Sequence, residues 1–201
     1  MNAFPDTSTT LLAKLAERES GIDQAAWFRF FALYQPVMVE FARIKGAGEE
    51  AEDVVQDVFA DLADAFQAGR YIRRKGRFRA YLAAMLRNAL VSRFRRRQAR
   101  PERDCVSLDE TSPRSVALEP TASLAADDAV DWRLARHRAA VDHILNKTAL
   151  SEQSRQIYRM LLETGETCAE VARKIGLPAS TVRQVKSRVS RMILAFEKSL
   201  V

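Results

Sequence analysis

From Phe78 to Leu90 the chain repeats apolar side chains on a helical period, inside a stretch so basic that only one side of it can be buried. At about 100° per residue, Phe78, Tyr81, Leu82, Met85, Leu86 and Ala89 fall on one face. Around them, the 35 positions from Gly69 to Arg103 hold thirteen lysines and arginines against one acid, a net charge of +12. A solvated face or a disordered arm would explain the charge alone, but neither needs an apolar stripe. The pattern therefore predicts a folded, one-sided basic helix. Its last turns carry Arg93, Arg95, Arg96 and Arg97, where cations also suit the helix dipole.

The whole chain is only +6, so everything outside this block sums to −6. Cationic charge this concentrated points to a polyanion partner, since arginines gain counterion-release free energy along a phosphate backbone. Tyr71, Phe78, Tyr81 and Phe94 sit inside the run, and aromatic faces can stack on unpaired bases.

Charge divides the rest of the sequence. Residues 1–46 are neutral, 47–68 hold seven acids and no base, 104–131 sum to −6 and 132–201 to +7. The −6 block contains Pro113, Pro120 and many Ser and Thr without sustained periodicity, which reads as a mostly flexible tether. Few Gly and Pro, with abundant Ala, Leu, Arg and Glu, favour helix over sheet. The expected fold is all-α: two small helical domains, 1–103 and 132–201, joined by an acidic linker over 104–131. In 201 residues no apolar run reaches the roughly 18 positions a membrane span needs. The opening MNAFPDTSTT lacks a basic stretch followed by an apolar one, so a cytoplasmic protein is expected. Two cysteines, Cys105 and Cys168, are too few for a disulfide framework. With His137 and His143 they show no metal-ligand spacing, and no cofactor is implied.

The first domain opens with an amphipathic stretch around Leu11, Leu12 and Leu15. The aromatics Trp27, Phe28, Phe30, Phe31 and Tyr34 follow and are expected in the core, with Pro36 interrupting or kinking that element. Between Glu49 and Phe66 lies a two-faced acidic helix. Val55, Phe59, Leu62 and Phe66 share one side, and Asp53, Asp57, Asp61 and Asp64 form a stripe nearly opposite. Aligned carboxylates repel by a few tenths of a kcal/mol per pair. A plain solvated face tolerates that cost; a docking surface for a basic partner puts the same charges to use.

The second domain ends in a helix-turn-helix pattern. Thr167 and Glu170 form a T-x-x-E capping box opening the short helix TCAEVARKI. Gly176, Leu177 and Pro178 break it. In the helix that follows, Val182, Val185, Val189, Met192, Ile193 and Phe196 share one face. Ser180, Arg183, Gln184, Ser187, Arg188 and Arg191 occupy the other, and suit phosphate oxygens and base edges in a major groove.

Taken together, AEDVVQDVFADLADAF and GRFRAYLAAMLRNALVSRFRRRQAR resemble region 2 of bacterial sigma-70 family RNA polymerase sigma factors. TCAEVARKIGLPASTVRQVKSRVSRMI resembles region 4 of the same family. Two regions and a linker are similar to the extracytoplasmic-function (ECF) subfamily. The resemblance covers residues 10–103 and 132–198. It implies that Glu52, Asp53, Gln56 and Asp57 dock on the clamp helices of core RNA polymerase, and that Gln67–Arg77, with Tyr71, captures an unstacked promoter base. It implies further that Phe78, Tyr81, Asn88, Arg95, Arg96 and Arg97 face the minus-ten element. The helix with Ser180, Arg183, Gln184, Ser187, Arg188 and Arg191 would read the minus-thirty-five element. Tyr81 stands where the family usually has tryptophan, and Val185 and Lys186 depart from its commonest pattern.

The expected partners are core RNA polymerase and promoter DNA. No sensory domain is visible, which leaves room for a separate inhibitor, an anti-sigma factor. No paired acids, nucleophile–base set or phosphate-cradling Gly loop appears, so a binding protein is expected and not an enzyme. Three alternatives stay open. A polymerase-independent helix-turn-helix regulator would leave the acidic helix and the basic aromatic block unexplained. An RNA-binding protein would not need the major-groove helix. A nucleic-acid enzyme would need a site constellation that the sequence lacks.

Overall fold

Helices form where the apolar period runs, and among the described residues every regular element is helical. The structure, a computed structural model, describes Leu11, Leu15 and residues 24–68, 78–98 and 126–199. Seven α-helices are present there: α1 (Gln24–Ile44), α2 (Ala51–Gln67, preceded by a 3₁₀ turn at Gly48–Glu50), α3 (Phe78–Gln98), α4 (Ala126–Lys147), α5 (Glu152–Thr164), α6 (Cys168–Ile175) and α7 (Ala179–Ser199). The all-α expectation holds. Two compact units emerge, one of residues 8–136 and one from His137 onward.

In the first unit α1, α2 and α3 pack on one another. Their shared core includes Phe30, Met38, Phe41, Val54, Val58, Leu62, Leu82 and Leu86, all essentially inaccessible to solvent. Burying each such side chain stabilises the fold by about 1.5–3 kcal/mol. Leu11 and Leu15 are helical and buried as expected. Pro36 does not end α1, which continues through it to Ile44. Phe30 and Tyr34 join the core, whereas Phe28 is 69% and Phe31 36% exposed, a departure from the expectation that this aromatic run is core throughout. Phe28 lies about 200° and Phe31 about 100° from Phe30 around the helix, so one face cannot take all three.

The tether reads differently from its composition at its end. Residues 104–125 lie outside the described residues, but 126–131 are the first turns of α4. Their acids meet cations of the first unit. Asp128, 5% exposed, is 2.7 Å from Lys45 Nζ and accepts from Arg87 Nη1 at 2.7 Å, while Asp131 is also 2.7 Å from Lys45. Trp132 packs on Phe41 with ring centroids 5.4 Å apart. Partial burial pulls the Lys45 pKa down, but the two carboxylates outweigh it and hold the ammonium above its ordinary value. A buried carboxylate is tolerable only with such partners. The unit boundary consequently falls inside α4, after Arg136.

In the second unit, Ala140, Ile144, Leu145, Leu150, Tyr158, Val189 and Ile193 make one cluster. Ile157, Val171, Ala172 and Val182 make another, and Val185 packs against both. The capping box forms: Thr167 N–H donates to Glu170 Oε2 at 2.8 Å, and Glu170 N–H to Thr167 Oγ1 at 3.3 Å. The backbone and hydroxyl of Thr167 hold the Glu170 carboxyl below its usual pKa. Gly176, at φ +67°, turns the chain out of α6, and Leu177 N–H closes on Ala172 O at 3.0 Å. A left-handed residue there favours glycine.

His143 stacks on Phe196, centroids 4.3 Å apart and 15° between planes. Burial first, and then the Lys147 ammonium, push its pKa below 6.5, against a smaller opposing pull from Asp142. Because the folded pKa is depressed, its contribution to stability is complete above about pH 6.5 and is lost as pH falls through the folded value. Thermal melts should therefore drop as pH falls below about 6.5, and His143→Leu should flatten that part of the profile. An unchanged slope in the variant would contradict this assignment.

Candidate nucleic-acid and protein interfaces

The phase of α3 is set by what it buries. Phe78, 8% exposed, lies 5.5 Å from Phe30, 5.7 Å from Tyr34 and 6.4 Å from Phe66, centroid to centroid. Leu82, Ala83, Met85, Leu86 and Leu90 continue the buried face. One flank of that face carries a line of side chains. Tyr81 is half-buried, and Asn88 and Arg95 are exposed. Steps of seven residues drift by only about 20°, so these three share one stripe about 21 Å long.

This geometry divides the residues expected at the minus-ten surface. Tyr81, Asn88 and Arg95 come together. Phe78 does not join them: its ring belongs to the core, where no face is left to stack on a base. An apolar residue at the first turn of a one-sided helix is more use to packing than to a ligand. Arg96 and Arg97 are exposed on the last turn, and Arg97 Nη1 is 3.3 Å from Glu50. Tyr71 and the rest of residues 69–77 lie outside the described residues, while Gln67 closes α2.

Along α2, Val54, Val55, Val58, Phe59, Leu62, Ala65 and Phe66 are buried. Glu52, Asp53, Gln56 and Asp57 are all exposed, as are Asp61 and Asp64. The stripe has a partner that sequence reasoning missed. Arg93, reaching across from α3, is 2.8 Å from Glu50, 3.6 Å from Asp53 and 3.5 Å from Asp57. Arg43 meets Glu52 at 3.3 Å. Asp53 and Asp57 nonetheless stay 68% and 75% exposed. Such exposed, longer pairs are worth about 0–1 kcal/mol, enough to relieve the repulsion along the stripe without closing it off. The signal was in the sequence: a −7 block followed directly by a +12 block must pair some of its charge once the two helices pack.

In the second unit the whole set of expected readers is exposed. Ser180, Arg183, Gln184, Ser187, Arg188 and Arg191 occupy the side of α7 opposite the buried Val182, Val189 and Ile193. Ser180 and Ser187 lie seven residues apart on the outermost line, which continues to Leu194, 55% exposed and unforeseen. Arg188 stands at the flank, where its Nη2 donates to Ser154 Oγ of α5 at 2.8 Å. Arg191 Nε makes a long local contact, 3.4 Å to Ser187 O. Among the described residues no helix is long and apolar enough to cross a membrane.

Residues 30–100 match the family Sigma-70 region 2. The match takes in α1 from Phe30 onward and all of α2 and α3, so the acidic stripe and the Tyr81–Asn88–Arg95 line both fall inside it. The chain thus carries a Sigma-70 region 2 domain, which supports a sigma factor of the sigma-70 family acting in transcription initiation. No curated protein matches the chain.

The split between Phe78 and Tyr81 has a direct test. Phe78→Ala should cost about 3–5 kcal/mol of stability, as removal of a core aromatic does, and Tyr81→Ala about 1 kcal/mol or less. Urea unfolding of the two variants measures both. Equal costs would show that the two rings share one environment.

Proposed function

We propose that the protein is a sigma factor of the extracytoplasmic-function kind, one that binds core RNA polymerase and directs it to promoters by recognising and melting DNA. The observation that carries this reading is the Sigma-70 region 2 match over residues 30–100. Two features support its finer parts. The exposed carboxylates of Asp53 and Asp57, with Glu52 and Gln56 beside them, offer a negative ridge to a basic surface of the polymerase. Potentials of opposite sign speed encounter and fix register. The Tyr81–Asn88–Arg95 stripe supplies, in order, an aromatic face, an amide and a guanidinium over a length of about six base steps.

The region 4 role belongs to the second unit. On this reading α7 enters the major groove of the upstream element. Arg183, Gln184 and Ser187, near its start, read base edges, and Arg191, further along, meets phosphate. The protein contributes specificity and strand capture, while the polymerase does the chemistry, so it acts without a catalytic site of its own. Bases swung from the stack cost a few kcal/mol each, which stacking on Tyr81 and neighbouring polar contacts offset. An anti-sigma factor in the cytoplasm would regulate such a protein by covering one of these surfaces.

Reversing Asp53 and Asp57 to lysine should weaken the complex with core polymerase by about tenfold or more, since like charges set together at an interface cost several kcal/mol. Circular dichroism should be unchanged, because neither side chain is buried. Undiminished affinity in a pull-down with core polymerase would sink the docking role of α2 and leave its stripe a solvated face.

A further inference from the structure

Arg188 of α7 is held from another helix. Its Nη2 donates to Ser154 Oγ at 2.8 Å, across from α7 to the first turn of α5. Ser154 is itself 5% exposed, one of only two buried polar or charged residues among the described ones. Its hydroxyl oxygen also accepts from Ser151 Oγ at 2.9 Å, and Ser151 caps α5 by accepting from Ser154 N–H at 3.4 Å. A helix cap, a buried hydroxyl and a surface guanidinium are therefore linked in one chain. The cap fixes Ser154, and Ser154 fixes one edge of the Arg188 fork.

A free surface arginine loses rotamer freedom when it is immobilised on a ligand. A guanidinium tethered through one N–H has made part of that loss on folding, and its remaining donors are presented in a set direction. That direction is sideways. Arg188 lies about 80° around α7 from Ser180, on the side of α5, whereas Ser187 and Arg191 lie within about 20° of the outermost line. A side chain drawn to the flank of a helix in a groove faces the groove wall, which is phosphate, and not the floor, which is base edges.

We propose that Ser154, on α5 and outside the recognition helix, is a positioning residue for DNA binding: with Ser151 it aims Arg188 at a backbone phosphate beside the groove. The inference rests on the reading of α7 as the DNA-entering helix and adds a residue that has no contact with DNA in that reading.

The test uses the full chain loaded on core polymerase and a labelled duplex selected by the wild-type chain from a random DNA library. Ser154→Ala should lower affinity about three- to tenfold, the scale of one immobilised side chain. The slope of log affinity against log salt should stay unchanged, because the phosphate contact still forms. Arg188→Ala should lower affinity and reduce that slope by about one unit. Added to Arg188→Ala, Ser154→Ala should have no further effect. A general structural role for Ser154 would instead lower affinity in both backgrounds, and that result overturns the proposal. So does full affinity in Ser154→Ala while Arg188→Ala is weakened. If Arg188→Ala, Gln184→Ala and Arg191→Ala all bind as the wild type does, the reading of α7 fails, and the positioning role with it. Selected sequences should be the same for wild type and Ser154→Ala, since a phosphate contact carries little sequence information; a changed preference would place Arg188 on a base and contradict the assignment.

Discussion

Phe78 lies among Phe30, Tyr34 and Phe66 at the start of α3, and most of what the first unit displays follows from that placement. Turning α3 by one residue, about 100°, would bring Phe78 out of the core and carry Arg79 toward it. The cost is the lost burial of a phenyl ring, about 2–3 kcal/mol, together with desolvation of a guanidinium. A helix this basic has one acceptable setting. In that setting Tyr81 is half-buried at the edge of the core face and Asn88 and Arg95 are exposed, so the helix is a wall of the core that keeps a polar, cationic line open to solvent.

Charge then decides which cations remain for a partner. The acidic and basic blocks are neighbours in sequence, and their helices pack, so some charge is neutralised within the unit. Arg93 lies against Glu50, Asp53 and Asp57, and Arg87 against Asp128. The two pairings differ in kind. Asp128 is buried and fully engaged, so its role is to hold the start of α4 on the first unit. Asp53 and Asp57 are touched at long range and remain open to solvent, so the same carboxylates can still meet a basic partner. Exposure, more than pairing, separates the structural acid from the carboxylates left open to solvent here.

Much of this was legible beforehand because helical period and charge are local properties. The bounds of the acidic helix, the Thr167–Glu170 cap, the break at Gly176 and the two faces of α7 follow from spacing alone. The errors came where a side chain's setting depends on distant partners. Phe78 and Tyr81 both satisfy the apolar period, and only the aromatics of α1 and α2 decide that the first is core and the second marginal. Residues 126–131 have the composition of a tether, and become helix because Lys45 and Arg87 are within reach of Asp128. Phe28 resembles its neighbours in type and differs only in phase. Ser154 carried no signal at all, since a serine three residues into a helix is ordinary until an arginine from another helix is seen to meet it.

On the proposed reading this chain gives core RNA polymerase a promoter preference that the polymerase otherwise lacks. Run-off transcription from a promoter library, with core polymerase in the presence and absence of the protein, tests it most directly. Discrete transcripts should appear only with the protein and share sequence upstream of their start sites. Transcription from the same templates at the same level with and without it would contradict the account.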